Sequence, residues 1–182
     1  ATSETSACIE VDLNGNGKGK ISTGISFFDH MLEQISRHGG IDLVVDVKGD
    51  LEVDEHHTIE DTGIVIGECF AEALGNKKGI ERYGFALPMY ESKAEVLLDF
   101  GGRSCLEWNV RFDREYVGNF PTEMTKHFFA SFCQGCKCNL HVTADGENMH
   151  HLIEAIFKAF ACAIRMAVQQ TGTGIPSSKG TL

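Results

Sequence analysis

Two stretches of this chain spell the same word: His56-His57-Thr58-Ile59-Glu60 and His150-His151-Leu152-Ile153-Glu154. Each reads His-His-x-x-Glu. Each follows a further histidine set before two large apolar residues, His30 before Met31-Leu32 and His127 before Phe128-Phe129. The pattern uses six of the eight histidines. Neutral imidazole and carboxylate together suit borderline divalent transition metals. Residues four apart share a helical face, so His56 and Glu60 can reach one ion together, as can His150 and Glu154. The adjacent His57 and His151 point about 100° away and would serve a different ion. Combining the words crosswise, with His30 and His127 added, gives each ion three histidines and one glutamate and leaves room for substrate. A lone His-His pair on a helix surface is usually solvated. Two copies with the same glutamate offset and the same upstream histidine predict an internally duplicated metalloenzyme.

A second constellation is basic. Arg82, Arg103 and the run Pro176-Ser177-Ser178-Lys179-Gly180 supply charge and hydroxyls. Arginine grips phosphate oxygens in bidentate fashion and lysine adds a point charge, so a phosphorylated small substrate is expected. Lys158 lies one turn beyond Glu154, where it can reach the same site or simply pair with an acidic neighbour. Asp29, Glu33, Asp54, Glu55 and Asp61 flank the metal words, where a carboxylate can orient a ligand imidazole. The seven cysteines are scattered and odd in number, which predicts reduced thiols in a cytoplasmic protein rather than a disulfide framework. Cys133-x-x-Cys136-x-Cys138 lacks the second pair that a structural zinc site needs.

The elements that must position these groups also recur. Phe27, Phe28, Met31, Leu32 and Ile35 have helical spacing around His30, and Gly39-Gly40 ends that helix. Ile41, Leu43, Val45 and Val47 alternate as a strand, and a helix follows from near His57 to Leu74. The second half repeats the order. A helix carries Met124, Phe128 and Phe132, a strand carries Cys138, Leu140, Val142 and Ala144, and a last helix runs from the second word to Val168. Strands open each half, through Ala7, Ile9, Val11 and Leu13, and through Leu106, Trp108, Val110 and Phe112. The expectation is an α+β fold of duplicated strand-helix-strand-helix halves, with helices packed together between two mixed β-sheets. One domain over residues 1–182 is expected, with repeats of about 1–80 and 81–182. A formal net charge of −10 argues against nucleic acid, and no apolar run is long enough for a membrane span.

Phe28-Asp29-His30-Met31-Leu32, His56-His57-Thr58-Ile59-Glu60-Asp61, Asn148-x-His150-His151-x-x-Glu154, Phe157-Lys158-Ala159 and Pro176-Ser177-Ser178-Lys179-Gly180 resemble imidazoleglycerol-phosphate dehydratase, across essentially the whole chain. The resemblance implies a hydro-lyase of histidine biosynthesis, which dehydrates D-erythro-imidazoleglycerol phosphate to imidazole acetol phosphate. It implies two Mn(2+) per chain, one held by His30, His57, His150 and Glu154, the other by His56, Glu60, His127 and His151. Arg82, Arg103, Ser177 and Lys179 match phosphate-binding positions, with Ser178 in the same run. Glu4, Gln34 and Lys158 match substrate-site positions. Glu4, Glu60 and Glu154 are the carboxylates for the chemistry, with Glu4 the candidate for moving protons. The resemblance further implies a cytoplasmic 24-mer built from trimers, with metal sites at subunit contacts. Some bacterial relatives carry an amino-terminal phosphatase domain, and the missing initiator Met is compatible with such an origin. Where the family usually has Pro-Met-Asp-Glu, this chain has Pro88-Met89-Tyr90-Glu91. It continues with Ser92-Lys93 for the usual Ala-Leu, and Ser104 replaces a usual Pro. Two rival readings are a dinuclear metallohydrolase of a small phosphate ester, and a metal-binding assembly protein without catalysis.

Overall fold

The computed structural model describes residues 1–85 and 88–182. In the first half β1 (Thr5–Asp12) and β2 (Gly19–Ser22) precede α1 (Ser26–Gly39), β3 (Asp42–Gly49) and α2 (His56–Leu74). The second half opens with the short strands β4 (Tyr83–Phe85) and β5 (Pro88–Met89). Then come β6 (Ser92–Asp99), β7 (Cys105–Val110), the small pair β8 (Tyr116–Val117) and β9 (Phe120–Pro121), α3 (Met124–Cys136), β10 (Asn139–Asp145) and α4 (Met149–Ala167).

The sheets show the duplication. The first runs β1-β3-β2, with β1 antiparallel and β2 parallel to β3. The second runs β4-β6-β10-β7, with β6 antiparallel and β7 parallel to β10. Both sheets are mixed, and one three-strand arrangement occurs twice. Alternation puts Leu43, Val45 and Val47 of β3, and Leu140 and Val142 of β10, into the core. The helices pack as α1 on α4 and α2 on α3, with β1 against α2 and β6 against α4. The fold is therefore α+β, with helices between two sheets. Phe128, Phe129 and Phe132 of α3 meet Phe157 and Phe160 of α4 at ring-centroid distances of 4.9–5.3 Å. Fully burying one such ring contributes about 1.5–3 kcal/mol.

Two local features aim the helices. Gly40 takes the left-handed region (φ 66) and returns its N–H to the Ser36 carbonyl, which ends α1 as the paired glycines predict. Gly67 and Gly135 let α2 and α3 touch backbone to backbone. A Cβ on Gly67 would lie 2.4 Å from the Phe132 carbonyl, and one on Gly135 would lie 2.1 Å from the Ile64 carbonyl. Gly63 meets Phe128 and Gly67 meets Phe132, so the two helices run in the same direction and bring their amino-terminal turns together.

The alternation read from the sequence locates β1, β3, β7 and β10 but not β2 or β6. Ala94, Val96 and Leu98 of β6 carry the same alternating signal and are buried. The strand expected to reach Phe112 ends at Val110, and Phe112 packs on Trp108 at 6.4 Å between ring centroids. Among the described residues, no helix is long and apolar enough to cross a membrane.

Candidate metal centres

Both His-His-x-x-Glu words open a helix, and at both a side chain two residues upstream accepts backbone N–H groups of the first turn. Asp54 Oδ1 accepts the His56 N–H at 2.8 Å at the start of α2. Asn148 Oδ1 accepts the N–H groups of His150 and His151 at 2.9 and 3.2 Å at the start of α4. These bonds hold the chain at each helix start, so each histidine and the glutamate four residues on leave the helix on one face.

The parallel helix pairs convert these faces into two donor groups. On α1 and α4, His30, His150 and Glu154 place their ligand atoms within 4.8 Å of one another. Glu154 Oε2 is 3.2 Å from His150 Nε2 and 3.9 Å from His30 Nε2. On α2 and α3, His56, Glu60 and His127 form the second group within the same limit. Glu60 Oε2 is 2.9 Å from His56 Nε2, and the His56 and His127 rings are 5.0 Å apart. Each group joins a helix of the first half to one of the second. Two imidazoles and one carboxylate are the donor set of a borderline divalent transition metal, so the residues present fit such an ion.

The two carboxylates differ in setting. Glu154 is 11% exposed, and its Oε1 accepts from Lys158 Nζ at 2.7 Å. Burial alone would raise the Glu154 carboxyl, but the Lys158 ammonium, with His30 and His150, outweighs it and holds the group below the ordinary glutamate range. Glu60 is 42% exposed, and where Lys158 follows Glu154 by four residues, Ile64 follows Glu60.

His57 and His151 belong to neither group. Their Nδ1 atoms are turned onto carboxylates that lie outside the repeated words and their flanking acids. His57 Nδ1 lies 3.1 Å from both Asp50 oxygens, and His151 Nδ1 lies 3.1 and 3.2 Å from those of Glu91. Such a partner fixes the tautomer and leaves Nε2 as the ligand atom. Asp50, followed by the charge of Glu4, raises the His57 imidazole above its ordinary value. Glu91 is lowered, first by a backbone hydrogen bond and then by His151. Glu4 Oε2 lies 3.8 Å from His57 Nε2. The flanking acids do other work. Asp29 accepts from the Thr23 backbone and hydroxyl, Asp54 accepts from the His56 backbone, and Glu33 stands 4.0 Å from His30 Nδ1.

The basic residues are only partly assembled. Arg82 gives Nε and Nη2 to Asp99 at 2.6 and 3.0 Å and Nη1 to the Pro176 carbonyl at 2.8 Å. The carboxyl end of the chain folds back here, since a Cβ on Gly102, next to Arg103, would lie 2.7 Å from Leu182. Ser177 is partly buried, whereas Arg103, Ser178 and Lys179 are exposed. Ser177 turns the run through hydrogen bonds to the Lys179 and Gly180 N–H groups. Gln34 Nε2 donates to the His30 carbonyl at 3.0 Å and stands 3.4 Å from its Nδ1. Cys133, Cys136 and Cys138 lie in the core. Hydrogen bonding to Cys133 and Cys136, with burial, pushes the Cys138 thiol well up, which suits packing rather than zinc ligation.

The family model for imidazoleglycerol-phosphate dehydratase matches residues 23–164. The chain is 56% identical over 183 aligned positions to the histidine biosynthesis bifunctional protein HisB of Bacteroides fragilis, which covers all of this chain and 49% of that protein. It is 49% identical to the imidazoleglycerol-phosphate dehydratase of Chlorobium limicola, covering all of this chain and 92% of the relative. The crystal structure of the Staphylococcus aureus dehydratase superposes with a TM-score of 0.84 at 37% identity, over 91% of this chain and 94% of that one. That from Pyrococcus furiosus, in complex with (S)-C348, gives 0.83 at 30% identity, over 100% and 98%. The chain spans about half the length of the bifunctional relatives it matches. Two duplicated donor groups, the fold around them and these likenesses agree: the chain belongs to the imidazoleglycerol-phosphate dehydratase family, a family of hydro-lyases.

Proposed function

We propose that this chain dehydrates D-erythro-imidazoleglycerol phosphate to imidazole acetol phosphate in histidine biosynthesis, with two Mn(2+) per chain. The observation that carries this reading is the pair of donor groups, each built from two imidazoles and one carboxylate on helices of opposite halves. Among the described residues, neither group has a fourth protein ligand. His57 and His151 stand apart with Nε2 directed away from their carboxylates, so they suit groups on other copies of the chain. His57 would join His30, His150 and Glu154, and His151 would join His56, Glu60 and His127. That arrangement supports self-association, in a 24-mer built from trimers, with residues 1–182 as one folded unit of two repeats. The seven free cysteines support a cytoplasmic setting.

In the reaction the hydroxyl beside the imidazole ring leaves with a proton from the neighbouring carbon, and the resulting enol becomes the ketone. Bound manganese would supply Lewis acidity at the ring nitrogens. Glu4 Oε2, 3.8 Å from His57 Nε2, is the base that takes the proton. Glu60 and Glu154 hold negative charge at the two groups, and Lys158 fixes the second Glu154 oxygen. Arg82, Arg103, Lys179, Ser177 and Ser178 bind the phosphate, and Arg82 also ties that end of the chain to Asp99. Gln34 sets the His30 ring. Holding the phosphate tail orients the ring between the groups.

A dinuclear phosphate-ester hydrolase needs two ions about 3.5–4 Å apart, usually bridged. Among the described residues no carboxylate belongs to both groups, which disfavours that reading. Incubating manganese-loaded protein with imidazoleglycerol phosphate and following ketone product tests the proposal. Ketone should accumulate and chelator should stop it. Full metal loading with no ketone would leave a metal-binding assembly protein.

A further inference from the structure

Tyr90 stands in the turn between β5 and β6, with a left-handed backbone (φ 50) and 87% of its surface exposed. No other large hydrophobic residue among those described is as exposed. A left-handed backbone is unfavourable for an aromatic residue, and such strain persists where the surroundings hold it. The surroundings here are a histidine. The Tyr90 ring lies 5.6 Å from that of His151, tilted by 39°. Its neighbour Glu91 holds the same imidazole through Nδ1. One turn therefore supplies both the carboxylate behind His151 and an aromatic surface beside it. The other repeat has no counterpart: among the described residues, the only ring paired with His57 is that of His56.

We propose that Tyr90 is a specificity-determining residue that forms one wall of the imidazole-binding pocket. The inference rests on the reading above, in which His151 completes the His56, Glu60 and His127 group of a second copy. Because Tyr90 packs against His151, it must travel to that group with it. There the phenol ring would lie beside the open position where a substrate imidazole binds. A flat heteroaromatic ring is the substrate feature that an aromatic wall selects, through offset or edge-to-face packing. The phosphate end of the substrate would not feel it, since Arg103 and Lys179 lie on other segments of the chain.

The test uses the manganese-loaded full chain with Tyr90→Ala and Tyr90→Phe, and two probes that split the substrate: free imidazole and inorganic phosphate. Calorimetry gives each affinity without turnover, and steady-state kinetics on imidazoleglycerol phosphate gives KM and kcat separately. Tyr90→Ala should weaken imidazole binding about 3–10-fold, the scale of one lost aromatic pair. KM should rise by a similar factor, phosphate affinity should hold, and Tyr90→Phe should retain imidazole affinity. Equal imidazole affinity in wild type and Tyr90→Ala would overturn the proposal. So would a parallel loss of imidazole and phosphate binding with a smaller particle, which would make Tyr90 an assembly anchor. A wild-type protein that binds manganese and imidazole but forms no ketone would defeat the dehydratase reading and leave the Tyr90 wall standing.

Discussion

The two donor groups come from the same sequence word and differ in what surrounds it. On α1 and α4, Glu154 is nearly buried and bonded to Lys158, so its charge is fixed and balanced before any ion arrives. On α2 and α3, Glu60 is 42% exposed and, among the described residues, ion-pairs only with His56. The remaining histidines differ as well, since His57 has Asp50 and Glu4 nearby, whereas His151 has Glu91 and Tyr90. A repeated motif thus specifies which atoms can meet. The residue one turn further on, Lys158 or Ile64, decides how firmly the carboxylate is held.

Removing the carboxylates should break the comparison most visibly. Glu154→Ala and Glu60→Ala should each cost more than the roughly 10–100-fold typical of losing an outer partner of a ligand. Added formate should restore part of the activity of Glu60→Ala, because that position is open to solvent. It should fail with Glu154→Ala, where the position is enclosed and Lys158 is left facing two imidazoles. Equal rescue of both variants would erase the distinction drawn here.

Next come the carboxylates behind His57 and His151. Asp50→Asn and Glu91→Gln should each weaken manganese binding about 10–100-fold. Asp50→Asn should act on the ion of α1 and α4, and Glu91→Gln on that of α2 and α3. Titrations that find the same ion weakened by both would show the crosswise assignment to be wrong.

A smaller effect is expected from the phosphate end. Charged hydrogen bonds contribute about 1.5–3 kcal/mol each, so Lys179→Ala should raise KM roughly 10-fold. Neither metal group should notice, and a change in metal content would contradict the separation of ring and phosphate binding.

The smallest effect concerns Lys158 and acid stability. The folded-state Glu154 carboxyl is depressed, so it contributes stability above its unfolded-state value, and the contribution is lost as pH falls through the folded one. Lys158→Met removes the main lowering influence and leaves burial, which raises the group. Urea midpoints of metal-free protein should therefore fall less for Lys158→Met than for wild type between about pH 5 and pH 3. Parallel curves would mean that the lysine does not set the Glu154 charge.

The residues that meet were legible where periodicity alone decides. The helix starts, the face shared by His56 and Glu60, and the 100° offset of His57 all follow from the helical repeat. Alternation likewise located β1, β3, β7 and β10, and with them the duplicated order. What was not legible depends on contacts between distant segments. Glu91 finds His151 across 60 positions, and Gly135 meets Ile64 from another helix. Asp50 is only seven positions from His57, but its side chain gains meaning where β3 ends against α2. The bond of Arg82 to Asp99 could not be read either, because β4 and β6 pair only after the chain folds. It leaves Arg103 and Lys179 as the exposed cations of that end.

Manganese stoichiometry in three proteins tests the central claim most directly. After removal of free metal, elemental analysis should give about two ions per chain for wild type, one for each donor group, and about one for Glu60→Ala and for Glu154→Ala. One ion in the wild type, or loss of both ions with either single substitution, would contradict two separate metal centres built from one repeated word.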